Sequence, residues 1–271
     1  MNPAGPWALD PGCPASCATD PVTRVPRAEL VRRYVALAGV LVRAAARGER
    51  LAEPRLLRAE ARAVLGALGV RLETGGARCL SAPDGTGVGT LVVANHISWL
   101  DAVALLAVEP VRVLAKREVG RWPVVGTLAR RAGTRFIDRG GSPRRLPDMV
   151  EELAGDLRGG ASVLVFPQAT TWCAAAGGRF RRAAFQAAAD AGAPVRPVTV
   201  AYRQAGAPTA TAAFLGDEDF TTSLRRVAAA RGLTVRITAH PPVRGADRRI
   251  LAATARQAVT SAFPVTGRRV G

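Results

Sequence analysis

The feature that most limits what this chain can become is a regular alternation of short apolar runs with longer amphipathic ones. Runs at 91–94, 111–115, 134–137, 162–166, 195–202 and 234–238 have the length of strands buried on both faces. Segments 100–108, 122–132, 143–157, 180–191, 221–231 and 246–263 carry apolar residues at helical spacing. This order predicts an α/β fold with a central, mostly parallel sheet flanked by helices. Val70-Arg71-Leu72-Glu73 reads as a further strand, after which Gly75-Gly76 is expected to turn the chain.

Two helices precede this domain. In the first, Leu30, Val31, Tyr34, Val35, Leu37, Ala38, Leu41 and Val42 form a broad apolar face with arginines at both ends, which suits either a membrane surface or packing on a core. The second covers 53–68 and is stopped by Gly69. We therefore divide the chain into a disordered segment at 1–25, an N-terminal amphipathic helical pair serving membrane association at 26–69, and the α/β domain at 70–271. The first segment holds five prolines and is expected to leave Cys13 and Cys17 loosely attached. No run reaches the roughly 20 apolar residues that span a bilayer.

Charge narrows the partners. Lysine and arginine number 38 against 21 acidic residues, a net charge of +17, with lysine only at Lys116. Such a field favours an anionic membrane surface, phosphorylated substrates or an acidic carrier protein. Nucleic acid is not an expected partner, because the arginines are scattered and aromatic residues make up only 5%. The four cysteines, Cys13, Cys17, Cys79 and Cys173, do not form a metal set in sequence: only the first two are close, and no histidine is near them. They fit a reducing cytoplasm better than a secreted disulfide scaffold.

In an open α/β sheet, ligands gather beyond the carboxyl ends of the strands. Asn95 and His96 follow the 91–94 strand, Lys116 follows 111–115, Arg139 follows 134–137, and Pro167-Gln168 follow 162–166. Asp101 lies five residues after His96, in the first turn of a helix, and an imidazole with a carboxylate to orient it is a general base. A serine esterase is the other enzyme class to weigh, but no Gly-x-Ser-x-Gly elbow is present. His240 is read as a loop residue, and Trp99 and Trp122 as packing residues.

These pieces resemble the glycerolipid acyltransferases, the family of 1-acylglycerol-3-phosphate O-acyltransferases, from about residue 30 to 240. Asn95-His96 with Asp101 is similar to the family's first block, Asn-His-x-x-x-x-Asp. Lys116, Trp122-Pro123-Val124-Val125-Gly126 and Gly133-Thr134-Arg135-Phe136-Ile137-Asp138-Arg139 resemble the second, and Val195-Arg196-Pro197-Val198 the fourth. The third block departs. Phe166-Pro167-Gln168-Ala169-Thr170-Thr171 stands where the family has Phe-Pro-Glu-Gly-Thr-Arg. A carboxylate has become an amide, a glycine has gained a methyl group, and the arginine associated with the acceptor phosphate is a threonine. Arg179, Arg181 and Arg182 follow, at the expected start of the next helix.

The resemblance implies transfer of a fatty acyl group from acyl-CoA or an acyl carrier protein to the free hydroxyl of a lysophospholipid such as 1-acylglycerol-3-phosphate. It implies His96 as base and Asp101 as its partner. Substrate binding falls to Asn95, Lys116, Arg139 and the third-block residues Phe166, Pro167, Gln168, Ala169, Thr170 and Thr171. No cofactor and no metal are implied, and the expected location is peripheral, on the cytoplasmic face of the cell membrane. The altered third block leaves two alternatives open: an enzyme for another acceptor such as lyso-ornithine lipid, or a weakened, basic lipid-binding protein that keeps the fold.

Overall fold

The computed structural model describes residues 13, 15–18, 23–137, 146–173 and 177–261. Eight strands, β1 (Arg71–Gly76), β2 (Leu91–Ala94), β3 (Arg112–Lys116), β4 (Arg135–Ile137), β5 (Val163–Val165), β6 (Val195–Gln204), β7 (Ala207–Pro208) and β8 (Leu233–Ala239), form one sheet. Their order is β1-β8-β6-β2-β5-β3-β4, with β7 on β6. Pairing is parallel except where β6 meets β8 and β7. The expected α/β fold with a mostly parallel sheet is therefore what the chain adopts.

Strand β2 lies between β6 and β5 and is buried along its whole length. Its side chains alternate between two layers, as the twofold repeat of a strand requires. Leu91 and Val93 join the core made by α5 (Leu146–Arg158), α6 (Ala183–Ala191) and α8 (Arg248–Ser261). Val92 and Ala94 join the opposite core, made by α1 (Arg27–Ala46), α2 (Pro54–Ala67), α3 (Leu100–Val108) and α7 (Phe220–Ala229). The remaining helix, α4 (Val125–Arg131), follows β3.

Helix α1 packs on the core along one face. Leu37, Val40 and Ala44 are buried, together with Arg33, whose guanidinium donates to the carbonyls of Leu68, Ala228 and Ala230 at the C-terminal ends of α2 and α7. Those carbonyls lack helical partners, so a buried cation satisfies them and meets the negative ends of two helix dipoles. At 100° per residue, Val31, Val35 and Val42 fall on the opposite face and Tyr34 on its flank. That face is open: Val31 is 61%, Val35 67% and Val42 70% exposed. Among the described residues, no helix is long and apolar enough to cross a membrane.

Three local expectations are corrected. Gly75-Gly76 do not turn the chain but end β1, paired with Thr238 and Ala239 of β8. Gly76 has φ +74°, and a Cβ there would stand 2.1 Å from the Ala239 carbonyl oxygen, so the backbone contact itself demands glycine. Helix α6 starts at Ala183, which puts Arg179, Arg181 and Arg182 on the loop before it. Cys13 and Cys17 are partly buried against the sheet's helical layer, and nearby Ala18 is 2% exposed. Val25 N–H donates to Ala229 O, so the chain approaching α1 is held along the end of α7.

Candidate active site

Each of the parallel strands β2, β5 and β3 ends on the same edge of the sheet, and the loops beyond them carry the residues of interest. Asn95 leaves β2 fully buried, with both ends of its amide engaged. Nδ2 donates to Val200 O at 2.9 Å, and Oδ1 accepts from Val200 N–H at 2.8 Å. Asn95, expected among the substrate-binding residues, instead clamps the end of β2 to β6.

His96 follows, stacked on Phe166 at 4.0 Å between ring centroids and 17° between planes. Its Nδ1 lies 2.9 Å from Asp101 Oδ2, with the imidazole side chain 22% exposed and the carboxylate fully buried. Oδ2 also accepts from Ile97 N–H at 2.7 Å and Ser98 N–H at 2.9 Å, and Oδ1 accepts from the Tyr202 hydroxyl at 2.6 Å. These bonds follow from placing an acid in the first turn of α3, where free backbone N–H groups point outward. A carboxylate oxygen so supplied with donors takes a proton-bearing Nδ1 as its third, which leaves the lone pair on Nε2. Such an imidazole can accept a proton from an incoming hydroxyl.

Tyr202 was not singled out in the sequence. It sits on β6, and burial together with the Asp101 charge raises its phenol well above the usual range. Its hydroxyl therefore stays a donor to Asp101. A buried tyrosine must find a polar partner, and this was the available signal.

The third block builds the other wall. Phe166 to Ala169 form a turn in which Ala169 N–H donates to Phe166 O. Gln168 is 2% exposed, and its Oε1 accepts from His96 N–H at 2.7 Å. An amide fills this role without charge. The Thr171 hydroxyl donates to Phe214 O, Trp172 N–H to His96 O at 2.9 Å, and Arg181 N–H to Pro167 O at 2.8 Å. Gln168 and Thr171 thus spend polar atoms inside the protein; Thr170 is half-buried beside them. Lys116 is exposed at the end of β3. Arg139 lies outside the described residues.

Ala169 has φ +66°, the left-handed conformation that the resemblance reserves for glycine. An L-residue held there is strained by roughly 1–2 kcal/mol. Ala169→Gly is expected to stabilise the protein by about 1 kcal/mol, read as a rise of about 2–4 °C in the melting temperature. An unchanged or lower melting temperature would show that the methyl group contributes packing equal to the strain.

His240 lies at the end of β8, its Nε2 2.8 Å from the Thr199 hydroxyl, and burial lowers its pKa. Trp99 donates from Nε1 to Ser223 Oγ and packs on Phe220, which Trp122 also touches, so both tryptophans are packing residues. Across the C-terminal edge, Cys173 follows Trp172. Burial, and then the neighbouring Cys13 and Cys17 sulfurs, push its thiol up to about 12.

A model of the acyltransferase family matches residues 76–201. The chain is 40% identical over 175 residues to a lyso-ornithine lipid O-acyltransferase of Pseudomonas aeruginosa, covering 64% of this chain and 67% of that protein. It is 38% identical over 177 residues to a 1-acyl-sn-glycerol-3-phosphate acyltransferase of Neisseria meningitidis, covering 65% and 67%. The crystal structure of the 1-acyl-sn-glycerophosphate (LPA) acyltransferase PlsC from Thermotoga maritima superposes with a TM-score of 0.58 at 19% identity, over 90% of this chain and 97% of that one.

Proposed function

This chain belongs to the glycerolipid acyltransferase family, and we propose that it moves a fatty acyl group from a thioester, on coenzyme A or an acyl carrier protein, to the free hydroxyl of a lysolipid. The observation that carries this reading is the His96–Asp101 pair at the carboxyl edge of the sheet, in which the carboxylate holds Nδ1 and leaves the lone pair on Nε2 of a partly exposed ring. In this mechanism Nε2 takes the hydroxyl proton as the oxygen attacks the thioester carbonyl. The resulting oxyanion collapses, the carbon–sulfur bond breaks, and the imidazolium returns its proton to the departing thiolate. Asp101 holds the ring and offsets the imidazolium charge. The products are an ester and a thiol, so the reaction balances without a further reactant.

The favoured acceptor is a lysolipid that presents no phosphate to residue 171, as lyso-ornithine lipid does not. Thr171 offers no cation, and its hydroxyl is already given to Phe214 O. Lysophosphatidate is the second acceptor to test. Lys116 and Arg139 are proposed to bind anionic oxygens of either substrate. Incubating the purified protein with acyl-CoA or acyl carrier protein and each lysolipid, and measuring thiol release with lipid product, tests the reading. No product with any pair would favour the non-catalytic lipid-binding alternative.

We further propose that the protein works on the cytoplasmic face of the membrane, held there by the open face of α1 and by its positive charge. Deleting α1 would uncover Leu37 and Val40, so substitution is the cleaner test. Val31→Glu, Val35→Glu and Val42→Glu together are expected to weaken sedimentation with anionic vesicles at least about tenfold, with the circular dichroism unchanged. Equal binding would place the membrane surface elsewhere.

A further inference from the structure

Cys13 and Cys17 are separated by three residues, a spacing ordinary for two thiolate ligands of zinc, but two ligands do not make a site. The fold supplies a third. Cys173, from the loop that follows the third block, brings its sulfur to 3.0 Å from that of Cys13, and all three sulfurs lie within 4.8 Å of one another. Each is partly buried against the same core, and together they draw the start of the chain onto the loop whose Trp172 N–H bonds to His96 O.

We propose that Cys13, Cys17 and Cys173 bind a zinc ion that fastens the N-terminal segment to the active-site loop. Zinc–thiolate bonds of about 2.3 Å in a tetrahedron set the sulfurs about 3.8 Å apart, so each pair is within about 1 Å of its place. Zinc prefers such soft donors, and water completes the fourth position. A disulfide between Cys13 and Cys173 would use two of the three thiols and leave Cys17 idle, whereas a metal explains why all three converge. The ion has no part in acyl transfer; its role is to hold the wall behind His96.

The full chain, reduced with a phosphine and reconstituted with zinc under nitrogen, is expected to retain one zinc per molecule through gel filtration. Cys79→Ser, which alters an exposed thiol outside the cluster, is expected to keep it. Cys13→Ser and Cys173→Ser are each expected to lose at least about 10²-fold in zinc affinity against a competing chelator, since even loss of a group behind a metal ligand costs 10–100-fold. Because a variant could misfold, cobalt substitution of the unaltered protein gives a separate reading: intense sulfur-to-cobalt charge-transfer absorption with tetrahedral d–d bands. Absence of that spectrum, zinc retained equally by Cys173→Ser, or a Cys13–Cys173 disulfide that reforms in the presence of zinc would each overturn the proposal.

Discussion

Replacing His96 by alanine is expected to abolish acyl transfer to any lysolipid. A general base contributes about 10²–10⁴-fold by itself, and here the same imidazole also returns the proton to the leaving thiolate. Both steps lose their carrier, so the rate should fall by at least about 10⁴-fold, to the remainder that binding and positioning alone supply. The fold should survive, because the partly exposed ring stacks on a single aromatic, Phe166, among the described residues. The lost stacking is worth about 1 kcal/mol, a small fall in melting temperature. Turnover retained in a folded His96→Ala protein would remove the proposed mechanism.

Asp101→Asn should lower kcat by about 10³-fold while leaving the protein folded. The asparagine oxygen can take the place of Oδ2 and still accept from Ile97 N–H, Ser98 N–H and the imidazole. Its amide nitrogen then faces Tyr202, whose hydroxyl must turn from donor to acceptor. Tautomer and ring orientation are kept, so what is lost is the charge that offsets the imidazolium; the loss therefore lies below the roughly 10⁴-fold seen where the tautomer is also wrong. Tyr202→Phe removes one bond to the same carboxylate and should cost only about tenfold. Measuring kcat and KM separately decides between this and a binding role: a rise in KM at constant kcat would assign Asp101 to substrate binding instead.

The layered fold was legible because the central strands are continuous apolar runs and most helices keep their period, as 91–94 does in β2 and 146–158 in α5. What escaped the sequence was pairing at a distance. Gly75-Gly76 look like a turn until β8 is seen beside them, more than 150 residues further along the chain. His96 and Asp101 were readable together, since only five positions separate the end of β2 from the first turn of α3. Tyr202, 101 residues from Asp101, was not. Asn95 and Gln168 were expected to touch substrate because motifs record which residues occur together and not where their side chains point. The geometry turns both inward, one to Val200 and one to His96 N–H.

The Asn95 clamp has a consequence for how the site fails. Val200 N–H is held by a side chain from β2, while Ile97 and Ser98 N–H end on a carboxylate with no solvent exposure. Val200 N–H cannot open without drawing the end of β2 away from β6 in the middle of the sheet. Its hydrogen–deuterium exchange should accordingly require global unfolding, unlike that of loops which open locally at little cost. Heat inactivation should then coincide with loss of the whole structure and not precede it.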